Sequence, residues 1–152
     1  VVVSNQSAIG RGYTTVDKVE ATNERLKQLL IAEDKHAVID RIVYCPHSPE
    51  DRCECRKPGL GMLDYLGCDF KFTPVLSWVI GDKMSDLAFG EKLGVPFEQR
   101  LLVGTGEGAK QIEELRARAA ALPRYFASLR EAVIDGVLGA VVAESGEGST
   151  NQ

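Results

Sequence analysis

Three cysteines and a histidine are set close together in Cys45-Pro46-His47-Ser48-Pro49-Glu50-Asp51-Arg52-Cys53-Glu54-Cys55. The pattern is Cys-x-His, an intervening stretch, then Cys-x-Cys. Three thiolates and one imidazole complete a closed tetrahedral donor set, which is the chemistry of a structural zinc. Soft sulfur ligands select Zn²⁺ over Mg²⁺ or Ca²⁺. The alternative is a loop with free or oxidised thiols, and the concentration of all four ligands in one short run favours the metal. Cys68 lies outside the run, beside Gly67, and is expected to be a small buried apolar residue. His36 reads as a solvated residue near a helix end.

Three further groupings carry possible chemistry. In Trp78-Val79-Ile80-Gly81-Asp82-Lys83-Met84-Ser85-Asp86 an apolar strand runs into Gly-Asp. Asp82 at such a strand end offers a hard oxygen ligand to Mg²⁺. Asp86, four residues on, either ligates or orients, or is an ordinary first-turn acid favoured by the helix dipole. Arg56-Lys57-Pro58 follows the last candidate zinc ligand. A metal knot beside it would aim two cations at a phosphate, Lys as a point charge and Arg as a fork. The competing reading is a solvated basic pair. Ser4-Asn5-Gln6 ends the first strand, and a hydroxyl there can donate to a phosphoryl oxygen.

These residues need elements to hold them. Val1–Val3 opens a β-branched run that reads as a buried parallel strand ending at Asn5. A loop Gln6–Tyr13 precedes a helix capped by Thr14 or Thr15, with Val16, Val19, Leu26, Leu29 and Leu30 as its apolar stripe. Ala37–Tyr44 reads as a strand. The long loop Cys45–Gly61 reads as functional. A short helix over Met62–Leu66, a strand over Leu76–Ile80 and a helix Ser85–Leu93 stopped by Gly94 follow. Leu101–Val103 is a short strand, Glu107–Leu122 a helix broken by Pro123, and Leu129–Leu138 a last helix capped by Ser128. Alternating strands and helices predict a parallel sheet flanked by helices, which binds ligands at the carboxyl ends of its strands.

At 152 residues the chain suits one domain, and its 44% hydrophobic content is that of a globular protein. A net charge of −4 makes nucleic acid and anionic membranes poor partners. No apolar run approaches the roughly 18 residues of a membrane span. Val1–Val3 is too short for a signal-peptide core. A cytoplasmic protein is the default expectation.

Ser4, Lys57 and the pair Asp82 and Asp86 occur in an order that resembles the haloacid dehalogenase (HAD) superfamily of phosphatases. Ser4 matches that superfamily's second motif, Lys57 its third, and Asp82 with Asp86 its fourth. The resemblance implies a Rossmann-like α/β fold, a parallel sheet flanked by helices, with an inserted zinc-binding loop. Residues 1–143 would form a single such domain, and residues 144–152 a flexible tail. Within the superfamily, Ser4–Tyr13 and Cys45–Pro58 resemble the branch acting on D-glycero-D-manno-heptose 1,7-bisphosphate. The similarity runs from Val1 to about Gly106 and departs at Leu60, where the branch usually has Pro.

The implied activity is Mg²⁺-dependent hydrolysis of a small phosphorylated sugar through an aspartyl-phosphate. Ser4, Lys57 and Asp82 would be catalytic. Asn5, Gln6, Arg11 and Arg56 would contact substrate. Cys45, His47, Cys53 and Cys55 would hold a structural Zn²⁺, and Asp82 with Asp86 the Mg²⁺. The superfamily's first motif is Asp-x-Asp, and none occurs in the sequence. Asp135-Gly136-Val137 echoes only its tail, within a helical pattern. The expectation is therefore that the superfamily's own first strand, with its nucleophile, precedes Val1, and that these residues alone are inactive. Two alternatives stay open. One is a histidinol-phosphate phosphatase, which shares the zinc loop. The other is a non-catalytic, zinc-stabilised module that binds a phosphate ligand.

Overall fold

The computed structural model describes residues 1–118 and 120–146, with side chains through residue 142. It divides into two compact units, Val1–Lys71 and a second beginning at Phe72.

In the first unit, β1 (Val2–Asn5) pairs in parallel with β2 (Ile42–Cys45), and Asn5 stands opposite Cys45. A parallel pair needs a long crossover. Here it contains a single helical turn, α1 (Ser7–Gly10), and the helix α2 (Val16–Glu33). Thr15 caps α2 by accepting the Lys18 N–H at 3.4 Å, and Asp17 adds a favourable charge to the first turn. Only Val19 of the expected stripe is buried; Val16, Leu26 and Leu29 are exposed. Each strand of the pair has four residues and is about 13 Å long, whereas an 18-residue helix is about 27 Å long, so this sheet covers only part of it. The Tyr44 phenol ties the helix to β2 by donating to Glu20 Oε1 at 2.5 Å. That bond, reinforced by burial, pushes the phenol pKa up to about 12.

β1 is half-buried rather than buried, because its one hydrogen-bonded neighbour among the described residues is β2. β2 is also shorter than the Ala37–Tyr44 run suggested. The core of the unit is Val43, Cys45, Cys55, Met62 and Leu66, with Val3, Leu63 and Phe70 packed against it. Met62 belongs to a 3₁₀ helix, Gly61–Tyr65.

The second unit holds a parallel sheet in the order β3 (Val79–Gly81), β4 (Arg100–Val103), β5 (Arg124–Phe126). The strand expected from Leu76 starts at Val79, because Pro74–Leu76 forms a 3₁₀ turn and the Ser77 hydroxyl donates to the Thr73 carbonyl. α3 (Met84–Lys92) follows β3, and α4 (Gly108–Ala117) follows β4. Alternating side chains of β4 fill both faces of the sheet. Leu102 packs with Leu87 and Ile112, while Leu101 and Val103 pack with Ala132, Trp78, Ile80 and Phe126.

Ser128 caps the last helical run by accepting the Glu131 N–H. α5 (Leu129–Glu131) continues as a π-helix over Ala132–Leu138 and then as α6 (Gly139–Gly146), past the expected end at Leu138. The expected tail 144–152 lies, from 147 on, outside the described residues. Among the described residues, no helix is long and apolar enough to cross a membrane.

Candidate functional site

The zinc-type ligands converge because the loop after β2 is folded back on itself. Cys45 ends the strand, and His47 follows two residues later. Ser48 then donates both its N–H (2.7 Å) and its hydroxyl (2.9 Å) to Asp51 Oδ2, closing the 3₁₀ turn Pro49–Asp51. Arg52 takes a left-handed conformation, φ 49°, and reverses the chain so that Cys53 and Cys55 face Cys45. Gly10 lets α1 lie against this loop. A Cβ there would stand 2.8 Å from the Ser48 nitrogen, and the Gly10 N–H donates to the Pro46 carbonyl.

The sulfur atoms form a tight cluster. Cys45–Cys55 is 3.2 Å, Cys53–Cys55 3.3 Å and Cys45–Cys53 3.4 Å. His47 Nδ1 stands 3.2 Å from Cys55 Sγ and 3.7 Å from Cys45 Sγ. All four donor atoms lie within 4.8 Å of one another, and the cysteines are free thiols. A tetrahedron with Zn–S bonds near 2.3 Å has edges of about 3.8 Å, so the three sulfur–sulfur distances fall only a few tenths of an ångström short of it.

The protonation energetics agree with a cation site. Burial raises the Cys45 pKa, and burial followed by the neighbouring Cys45 and Cys53 pushes Cys55 up to about 12. Burial also opposes ionisation of Cys53, but contacts from Cys55 and Cys45 overcome it and bring that thiol down to about 7. One thiolate forms readily and then resists the other two. A divalent cation removes that resistance.

Cys68 is exposed, not buried as expected. In the turn Gly67–Phe70 the Phe70 ring turns to the core and leaves Cys68 at the tip. His36 is solvated, near Asp34 at the end of α2.

Of the other expected site residues of this unit, Ser4, Asn5, Gln6 and Lys57 meet at the end of β1, whereas Arg11 and Arg56 contact the ligand loop. Ser4 Oγ accepts from Gln6 Nε2 at 3.0 Å. Lys57 Nζ donates to the Val3 carbonyl at 2.5 Å, and the Asn5 carboxamide bonds to the Lys57 backbone at both ends. Arg56 Nη1 donates to the His47 carbonyl at 3.4 Å, tying the guanidinium to the ligand loop. Arg11, after α1, faces Glu50 at 3.6 Å on the surface. Gly59 keeps the chain after Lys57 close to the cluster, since a Cβ there would collide with the Glu54 carbonyl oxygen.

In the second unit, Asp82 directly follows β3, and its Oδ2 accepts the Glu107 N–H at 3.1 Å. Asp86 is buried and accepts the Lys83 N–H at 3.0 Å, capping α3. Gln111 accepts the Met84 N–H at 2.5 Å and fixes the same helix end to α4. The Glu107 and Gln111 links were not anticipated. Glu107 contributes its backbone N–H and Gln111 its side chain, neither lies in a spacing that marks it, and each partner is at least 25 residues away.

A model of the HAD-hydrolase-like family matches residues 54–132, just over half of the chain. The chain is 36% identical over 113 residues to a D-glycero-beta-D-manno-heptose-1,7-bisphosphate 7-phosphatase of Pseudomonas putida, covering 74% of this chain and 62% of that one. A protein of the same name from Pasteurella multocida is 33% identical over 141 residues, covering 86% and 74%. A crystal structure of D,D-heptose 1,7-bisphosphate phosphatase from B. bronchiseptica, complexed with magnesium and phosphate, superposes with a TM-score of 0.67 at 28% identity. It covers 93% of this chain and 73% of that one. The chain thus spans about three-fifths of the length of several curated relatives it matches. Strand-end Asp82, the parallel sheets flanked by helices and these matches agree, and the chain belongs to the HAD-hydrolase-like family.

Proposed function

We propose that the protein is a Mg²⁺-dependent phosphate monoester hydrolase acting on D-glycero-D-manno-heptose 1,7-bisphosphate. The observation that carries this reading is the likeness to phosphatases of that name, which spans both the zinc-type loop and Asp82. In this reading Cys45, His47, Cys53 and Cys55 hold a structural Zn²⁺ that anchors the loop leading to Arg56 and Lys57. Asp82, with Asp86 behind it, would hold Mg²⁺, whose chemistry is charge neutralisation in phosphoryl transfer.

The residues of this chain then have distinct tasks. Ser4 donates its hydroxyl to a phosphoryl oxygen, and Lys57 places its ammonium against the same group as charge spreads over the equatorial oxygens. Gln6, Arg11 and Arg56 line the approach of the sugar phosphate, and Asn5, expected there as well, has both ends of its carboxamide on the Lys57 backbone. The attacking carboxylate is assigned to no residue here, because the sequence contains no Asp-x-Asp. Three of the four cysteines crowd into one metal-type run, which supports a cytoplasmic setting.

The test compares heptose bisphosphate with histidinol phosphate as substrates of the full-length gene product with Mg²⁺. Turnover should favour the heptose, and Lys57→Ala should lower kcat on the order of 100-fold or more. A protein that binds inorganic phosphate yet turns over neither ester would be a binding module and would overturn the proposal.

A further inference from the structure

Lys57 sits, half-buried, in a turn of the loop that follows Cys55. Buried backbone N–H and C=O groups need partners. Asn5 supplies one for each. Its Oδ1 accepts the Lys57 N–H at 2.9 Å, and its Nδ2 donates to the Lys57 carbonyl at 3.3 Å. A carboxamide carries one acceptor and one donor side by side, which is what one residue's N–H and C=O present. Asp lacks the donor, Ala lacks both groups, and Gln carries an extra methylene.

The anchor itself is held. Asn5 is the last residue of β1 and stands in register with Cys45 of β2. The next residue, Gln6, donates its N–H to the Cys45 carbonyl at 2.8 Å. The Lys57 ammonium completes the arrangement by reaching back to the Val3 carbonyl, one residue from Ser4. Lys57 is therefore located by β1 at its backbone and its side-chain tip, and by Cys55 two residues before it.

From this geometry we infer that Asn5 is a positioning residue: its carboxamide clamps the Lys57 backbone and so sets where the ammonium meets the phosphoryl group. This rests on the phosphatase reading and differs from the substrate contact that Asn5 was expected to make. Misplacing a group by about 1 Å can cost on the order of 100-fold in rate. Loss of the clamp should therefore appear in kcat, with KM for the sugar phosphate little changed.

The experiment is a double-mutant cycle on the full-length protein, read by steady-state kinetics and by backbone amide exchange at Lys57. Asn5→Ala should speed exchange of the Lys57 amide at least 10-fold and lower kcat roughly 30- to 100-fold. In a Lys57→Ala background the same change should cost less than about 3-fold, because the group it positions is already gone. Asn5→Asp keeps the acceptor and loses the donor, so it should restore part of the amide protection. Zinc content near one per chain confirms that each variant is folded. If Asn5→Ala raises KM and costs the same rate in both backgrounds, Asn5 touches substrate and the inference fails. If exchange at Lys57 is unchanged, the clamp is not there and the inference also fails, with the phosphatase reading intact. A wild-type protein without phosphatase activity overturns that reading and the positioning role with it.

Discussion

Met62 connects packing to the candidate metal centre, and Met62→Ala should show it. The side chain is fully buried in the cluster that contains Cys45, Cys55, Val43 and Leu66. Truncation removes roughly 2 kcal/mol of transfer free energy. If a void on the order of 65 Å³ remains, about 24 cal/mol per Å³ contributes about 1.5 kcal/mol more. The total, about 3.5 kcal/mol, lies within the ~2–5 kcal/mol typical of buried Met→Ala changes. Two of the four candidate ligands share the emptied wall, so the ion should also be held less firmly. Thermal unfolding of the zinc-loaded protein followed by circular dichroism should show a midpoint lower by roughly 7–14 °C. Transfer of zinc to a colorimetric chelator should be faster. A stability loss below about 1 kcal/mol, or zinc transfer at the wild-type rate, would show that Met62 does not support the ligand wall.

Two other outcomes follow. Cys53→Ser leaves three ligands, and elemental analysis should find zinc well below one per chain, with Lys57 amide exchange accelerated. The Asp51 carboxyl is held below its ordinary 3.8, first by the Ser48 hydroxyl and then by the Ser48 N–H. Its contribution to the loop is therefore complete above about pH 4 and lost as pH falls through the depressed native value. Asp51→Asn should flatten that acid limb in a pH titration of loop fluorescence or chemical shift.

Much of the candidate site was readable because its signals are local. Cys45 to Cys55 is one short run, Thr15 and Ser128 cap the helices they precede, and Asp82 follows an apolar strand. What escaped depends on partners distant in sequence. β5 is Arg124-Tyr125-Phe126, too short and too polar at its start to announce itself. It is a strand because Leu101–Val103 offers it a ladder and Phe126 a place in the core. Ala37–Arg41 has strand-like residues but lies outside β2; the Arg41 carbonyl still accepts the Val2 N–H, while its side chain bonds to the Leu66 carbonyl and Asp69. Cys68 has the burial preference of its type, yet the turn spends its inward position on Phe70. The Asn5–Lys57 bonds span 52 residues, and nothing in either residue's neighbourhood marks them as partners.

The crowded sulfur cluster also determines how the loop behaves toward oxidants once stripped of metal. Cys45 and Cys55 lie 3.2 Å apart, and a disulfide bond needs about 2.05 Å. Little more than about 1 Å of motion separates a ligand pair from a covalent one. Dissolved oxygen takes the two electrons, Cys53, its pKa lowered to about 7, is the thiolate oxidised first at neutral pH, and the disulfide it forms with a neighbour passes by exchange to Cys45–Cys55. A Cys45–Cys55 bond would join the end of β2 to the residue two before Lys57 and leave too few thiolates to rebind zinc. Chelation in air would then become a one-way step, whereas chelation under reductant would stay reversible.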